Sequence, residues 1–285
     1  MSKCWIIGPI AWDLPYRIPN MPMSGQFAQA VRLPGRPGGT GANVARALAT
    51  RHAPVGMIGY IGEDSCGADS IEDLRTRGID VSQIETLPGE TSQVLLFIEP
   101  SGERTIVGIV DDYLNRITIV ASAISAGDLV YFAGWRDEFE PALRQIERAG
   151  ATIASVPFGR PADALPVSYI IGSRSDLPAS PGDVWASYSS WTDGKLKCLV
   201  LTRGAEGVEL LDSGGCEEVS AAPVNAVDAT GAGDAFAAAM LAAILQGRPA
   251  RSGIDDGLIW GAATVQSEGS IPPPWQDVAG FRPTA

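Results

Sequence analysis

The chain has 285 residues, 45% of them apolar and 19% charged, the composition of an ordinary globular protein long enough for one large domain or a domain with a satellite. Its 21 Lys and Arg against 33 Asp and Glu leave a formal net charge of −12, which argues against a nucleic-acid or anionic-membrane surface. Four dispersed cysteines with no C-x-x-C pair give no sign of a zinc knuckle or redox pair, and a single histidine, His52, excludes any mechanism that needs two.

Met1 to Ile10 is too short an apolar stretch for a signal peptide or membrane span, so a cytoplasmic protein is expected. Within it, Cys4-Trp5-Ile6-Ile7-Gly8 predicts a buried first strand of a parallel sheet. Asp13 follows at that strand's carboxyl end, where ligands of open α/β sheets sit. It is a candidate contact to polyol hydroxyls, with a loop-capping aspartate as the alternative. Residues 14–36, rich in proline and without a helix period, read as an excursion from the main domain. Pro37-Gly38-Gly39-Thr40-Gly41-Ala42-Asn43 then lets a ligand press against backbone before a helix carrying Val44, Ala47 and Leu48 on one side. This is neither a dinucleotide fingerprint nor a P-loop, since the last position is Val44 and no Gly-Lys-Ser/Thr occurs.

Val55 to Gly59 predicts another buried strand, and Gly67 to Gly78 a helix. Gln93 to Glu99 and Glu103 to Gly108, joined by Pro100-Ser101-Gly102, predict a hairpin within a second excursion, 91–107. The two excursions together would make a small β lid, with an edge hairpin of the main sheet as the alternative. Strands at Leu129–Gly134, Thr152–Ala154, Tyr169–Gly172 and Lys197–Thr202, with a helix over Glu140–Ala149, complete an alternation that predicts a doubly wound, mostly parallel α/β sheet in a single domain over 1–285.

The most telling stretch is Asn225 to Gln246, where a glycine-broken turn feeds a helix apolar on almost every side and therefore buried. Gly231-Ala232-Gly233 leaves the first amides of that helix bare, an arrangement that binds anions. Asp228 and Asp234 flank the turn and Thr230 adds a hydroxyl. Taken alone, the motif could be a tight turn with a capping aspartate. At a helix N-terminus, Asp234 is expected to have a low pKa.

The string Asp228-Ala229-Thr230-Gly231-Ala232-Gly233-Asp234-Ala235-Phe236 resembles the C-terminal signature of the ribokinase-like sugar kinases, the PfkB family, and Gly38-Gly39-Thr40-Gly41-Ala42-Asn43 resembles its N-terminal signature. The resemblance implies a ribokinase-like fold and ATP-dependent phosphorylation of a hydroxyl on a small sugar or sugar-like substrate. Asp234 would be the general base, Gly231, Ala232 and Gly233 the anion hole, and Asp13, Gly39 and Asn43 the substrate contacts. Thr202, Gly204 and Gly207, similar to the family's nucleotide-side loop, would lie near ATP together with Thr230. Mg2+ is implied by the chemistry, and the resemblance allows a monovalent cation (K+) beside Asp228 and leaves room for a homodimer. Ser173-Arg174-Ser175-Asp176 departs from the family's Asn-x-x-Glu, putting the metal role of Asp176 in question, and Arg160 alone remains of another family string. Two alternatives stay open: a nucleoside kinase of the same family, and a sugar- or nucleotide-binding protein with weakened catalysis.

Overall fold

Cys4-Trp5-Ile6-Ile7 forms the strand around which the molecule is built (β1, Cys4–Ile7): Cys4 and Ile6 enter the core on one face, Trp5 and Ile7 the core on the other. Period-two alternation with both faces apolar is what a central strand between two helical layers requires. The structure, a computed structural model, describes residues 2–101, 104–109, 113–177, 184–267 and 269–281. After β1 come β2 (Ala11–Arg17), β3 (Val31–Arg32), β4 (Arg36–Gly38), α1 (Thr40–Ala49), β5 (Val55–Gly62), α2 (Ser65–Thr76), β6 (Asp80–Leu87), β7 (Gln93–Ile98) and β8 (Arg104–Ile109). The second half adds β9 (Leu129–Phe132), α3 (Glu140–Arg148), β10 (Thr152–Ser155), β11 (Tyr169–Ser173), α4 (Val184–Trp191), β12 (Cys198–Thr202), β13 (Val208–Asp212), β14 (Gly215–Val219), α5 (Ala232–Leu245), α6 (Ala250–Val265) and α7 (Trp275–Val278).

Nine strands form the main sheet in the order β14-β13-β12-β11-β10-β9-β1-β5-β6, parallel throughout except where β13 and β14 return antiparallel at one edge. From β1 the chain moves outward to β5 and β6, then comes back to β9 on the other side of β1. That reversal is a topological switch point, and it opens a crevice beyond the carboxyl ends of β1 and β9.

Helix α5 lies in the core: Ala235 to Ala243 are all buried, and it packs on α6 and α1 and across β11 and β9. No polar stripe remains on its middle because no side of Ala235 to Ala243 meets water. Helix α2 begins at Ser65, two residues before the expected Gly67, because the Asp64 side chain accepts the Gly67 N–H at 2.7 Å and caps it.

The two excursions meet in a second, smaller sheet. There β2 pairs with β7 in parallel, β7 with β8 antiparallel, and β3 and β4 both with β2. Gly102, of the expected hairpin tip, and Glu103, the first residue of its expected return strand, lie outside the described residues. Among the described residues no helix is long and apolar enough to cross a membrane, and all four cysteines are free thiols.

Candidate active site

Three backbone devices converge at the switch point. The chain leaves β1 through Gly8-Pro9; α1 starts from Gly39, whose φ of +89° brings its backbone so close to Pro9 and Ala11 that a Cβ would sit 2.7 Å from their main-chain atoms. Helix α5 starts from Gly231 at φ +82°, with a would-be Cβ 2.3 Å from the Ser270 carbonyl oxygen. Only glycine fits either position. Between these turns and the inner face of the small sheet lies a cavity of about 350 Å³, a volume suited to a small metabolite.

Of the residues expected to act, Asp13, Gly39 and Asn43 line this cavity on one side and Thr230, Gly231, Gly233 and Asp234 on the other. Asn43 Nδ2 donates to Asp234 Oδ2 at 3.0 Å, joining α1 to the first turn of α5 across 191 residues of chain. The orientation of that amide is fixed from behind. Arg46, fully buried, donates through Nη1 to Asn43 Oδ1 at 2.9 Å and through Nε to Asp73 Oδ2 at 2.6 Å, which turns the Asn43 NH2 group toward Asp234 and the cavity. Asp234 keeps some surface toward the cavity but is enclosed by protein on its other sides. Burial pushes its pKa up to about 7, against the Asn43 hydrogen bond and the Arg104 charge, which both lower it. The expected low pKa is therefore corrected: the desolvation of a carboxyl shut into the cavity outweighs the helix terminus.

Asp13 is buried, and burial raises its pKa as well, although Ser270 Oγ donates to its Oδ2 at 2.6 Å and Arg36 lies 3.9 Å away. Asp228 does not line the cavity. Its Oδ1 accepts the Thr230 N–H at 2.8 Å and the Thr230 hydroxyl, while its Oδ2 accepts the Gly269 N–H at 3.3 Å and faces Arg36 Nη2 at 3.9 Å. Its work is to hold the Thr230-Gly231 turn in place.

The remaining candidates stand elsewhere. Ala232 belongs to the first turn of α5 without lining the cavity, and Thr202, Gly204 and Gly207 lie at and past the carboxyl end of β12, with the Thr202 hydroxyl donating to the Gly172 carbonyl at 3.3 Å. Asp176 is exposed beyond the end of β11 and its Oδ2 accepts the Ser173 N–H at 3.0 Å. Burial raises the pKa of Tyr131 on β9, two strands from β11, and the charges of Asp234 and Asp176 both add to that rise. Arg160 is exposed. Among the described residues no group of three or more potential ligands forms a metal cage.

Sequence reasoning missed Arg46, Asp73, Arg36, Ser270 and Arg104. Arg46 had a signal, since it sits three residues after Asn43 on the same helix face. Ser270 had none, being 257 positions from its partner Asp13.

The pfkB family carbohydrate kinases match residues 28–277. The chain is similar to an ATP-dependent ribose-1-phosphate kinase of Halopiger xanaduensis, 28% identical over 99% of this chain and 98% of that protein. It shares its fold with the ribokinase of Giardia lamblia (TM-score 0.81, 20% identity, 98% of each chain) and with the Arabidopsis thaliana ribokinase complexed with ribose and ATP (TM-score 0.72, 21% identity, 98% of each chain). With a match that runs from residue 28 to residue 277, the chain belongs to the pfkB family of carbohydrate kinases.

Proposed function

We propose that this protein transfers the γ-phosphoryl group of ATP to a hydroxyl of a sugar or sugar-like acceptor bound in the cavity. The observation that carries the reading is the Asn43–Asp234 hydrogen bond at the N-terminus of α5: a proton acceptor is held, oriented, beside bare helix amides, on the wall of a cavity of metabolite size. The relative named as an ATP-dependent ribose-1-phosphate kinase and the fold neighbour holding ribose and ATP support both halves of the assignment.

Acceptor hydroxyls face Asp13, Asn43 and the backbone at Gly39. Asp234 takes the proton from the attacking hydroxyl, and a base with a pKa of about 7 suits a working pH near neutrality. The amides around Gly231 to Gly233 meet the charge that spreads over the phosphoryl oxygens in a loose transition state. Thr202, Gly204 and Gly207 take the nucleotide further along the carboxyl edge. Mg2+, when bound, neutralises phosphate charge. With no cage among the described residues, it would be held by the nucleotide's phosphates and water, and Asp176, exposed at that edge, is the carboxylate we assign to it.

A monovalent cation beside Asp228 does not fit in the same way. That carboxylate is already covered by Thr230 and Gly269, and the Arg36 guanidinium supplies the positive charge. Turnover should therefore be unchanged when K+ is replaced by Na+ at constant ionic strength; a severalfold dependence on K+ would contradict this assignment.

ADP release measured with Mg2+ and ATP over a panel of sugars, sugar acids and nucleosides tests the whole reading. Acceptor-dependent release is expected. A response to nucleosides alone would turn the assignment to a nucleoside kinase, and binding of acceptor or ATP without release would leave a binding protein.

A further inference from the structure

The inner face of the small sheet resolves into rows set by its register. Asp13, Val94 and Gly108 stand side by side in one row, Pro15, Leu96 and Ile106 in the next, and Arg17, Ile98 and Arg104 in the third. Residues two apart on a strand share a face and lie about 6.6 Å apart. The Arg104 row is thus roughly 13 Å along the strands from the Asp13 row, with an apolar row between them. Arg104 nevertheless lines the same cavity as Asp13, Asn43 and Asp234.

Two features of Arg104 stand out. It is the cation among the described residues lining the cavity, in a protein whose net charge is −12. Its Nε is buried without a hydrogen-bond partner, and a buried, unsatisfied N–H on a charged group is costly unless a ligand completes it. Arg36 also has a buried Nη2 without a hydrogen-bond partner, but its Nε donates to Ser270 and the group faces Asp13 and Asp228 without lining the cavity. The bare amides of α5 are read as serving the transferring phosphoryl group, whereas Arg104 enters the cavity from the small sheet, with its charge felt at Asp234.

Resting on the kinase reading of the cavity, we infer that the acceptor carries an anionic substituent, a phosphate or a carboxylate, at the end remote from the hydroxyls facing Asp13, and that Arg104 selects for it. The planar fork of a guanidinium matches either anion through paired N–H donors. The apolar row of Pro15, Leu96 and Ile106 spans the carbon skeleton between the two polar ends.

Matched acceptors test this: ribose, ribonate and ribose 5-phosphate, and glucose, gluconate and glucose 6-phosphate, each at saturating ATP and Mg2+. The wild-type protein should favour an anionic member over its neutral parent by about tenfold or more in kcat/KM, chiefly through KM, and the phosphate and carboxylate arms identify the anion. Arg104→Gln should remove most of that preference without changing the KM for ATP, and Arg104→Lys should retain part of it. Neutral parents used as well as their anions, or an Arg104→Gln loss equal for both, would overturn the inference. If no compound releases ADP, the kinase reading has failed instead, and calorimetry of the same compounds without nucleotide decides the anion site. Anion binding by the wild type that Arg104→Gln loses upholds it; equal binding by both proteins, or none, overturns it.

Discussion

Asp234 is the residue on which most of the chemistry turns, and its pKa makes distinct claims about rate and stability. In the free protein the group must lose its proton before it can accept one, so kcat/KM should rise with pH along a limb centred near 7 rather than near the ordinary carboxylate value of 3.8. Asn43→Leu removes the hydrogen bond that favours the carboxylate, which moves the limb to higher pH; an unmoved limb in the pH profile would disconnect Asn43 from the base. Asp234→Asn should lower kcat by about 10²- to 10⁴-fold with both KM values near wild type. The same substitution has a signature in folding. Because the folded pKa of about 7 lies above the ordinary 3.8, the folded state binds the proton more tightly, and stability present at low pH is lost as pH rises between those values. Denaturant titrations should show Asp234→Asn matching the wild type at about pH 4 and exceeding it at about pH 8, and a variant that is no more stable at the higher pH would remove the case for a desolvated carboxyl.

At the scale of elements, the base is aligned by a contact between helices. Asp73 on α2 anchors Arg46 on α1, Arg46 fixes Asn43, and Asn43 meets α5 at Asp234. Arg46→Met keeps an apolar body in the buried site but leaves Asn43 Oδ1 without its donor, at a cost of roughly 1–3 kcal/mol in chemical denaturation. A purely structural arginine would do no more than that. A positioning arginine also shifts the acid limb of kcat/KM upward, because the freed Asn43 amide can turn its oxygen toward Asp234. The elements themselves differed in legibility for physical reasons. Strand β5, buried along its whole length, and helix α5 both carry long apolar runs that only a core tolerates. Helix α6 went unread because Gly253, Gly257 and Gly261 depress helix propensity. The fold uses that smallness to bring α6 against α5, where a Cβ on Gly257 would lie 2.5 Å from the Phe236 ring. The β13–β14 hairpin was missed because Glu209, Glu217 and Glu218 are what an edge facing water carries.

For the molecule as a whole, the stretches singled out in the sequence bring Asp13, Asn43 and Asp234 into one cavity, since local backbone chemistry is written locally. What supports them was not legible. The partners Asp73 and Ser270 come from other parts of the chain, where a tertiary contact leaves no trace in spacing, and Arg36, though it closes the first excursion, carried no sign that it faces Asp13 and Asp228. Ser270→Ala tests the longest of these ties. It spares the backbone packed against Gly231 but takes a hydrogen bond from the Asp13 carboxylate, so the KM for acceptor should rise about tenfold with kcat and the KM for ATP unchanged. Unchanged acceptor kinetics would mean that Arg36 alone holds Asp13.

That tie between Asp13 and Ser270 also governs when the protein can begin to work. A chain emerging from the ribosome presents Asp13 first, and the sheet on which it sits can pair once β7 and β8 are out. The carboxylate waits for a hydroxyl 257 positions later, and the Gly231 turn waits for the same residue's carbonyl. Every unfinished chain, and every product clipped before Ser270, therefore lacks its acceptor clamp whatever else it has folded. Efficient use of an acceptor is therefore expected only once translation has passed that serine, which ties full activity to the completeness of the polypeptide.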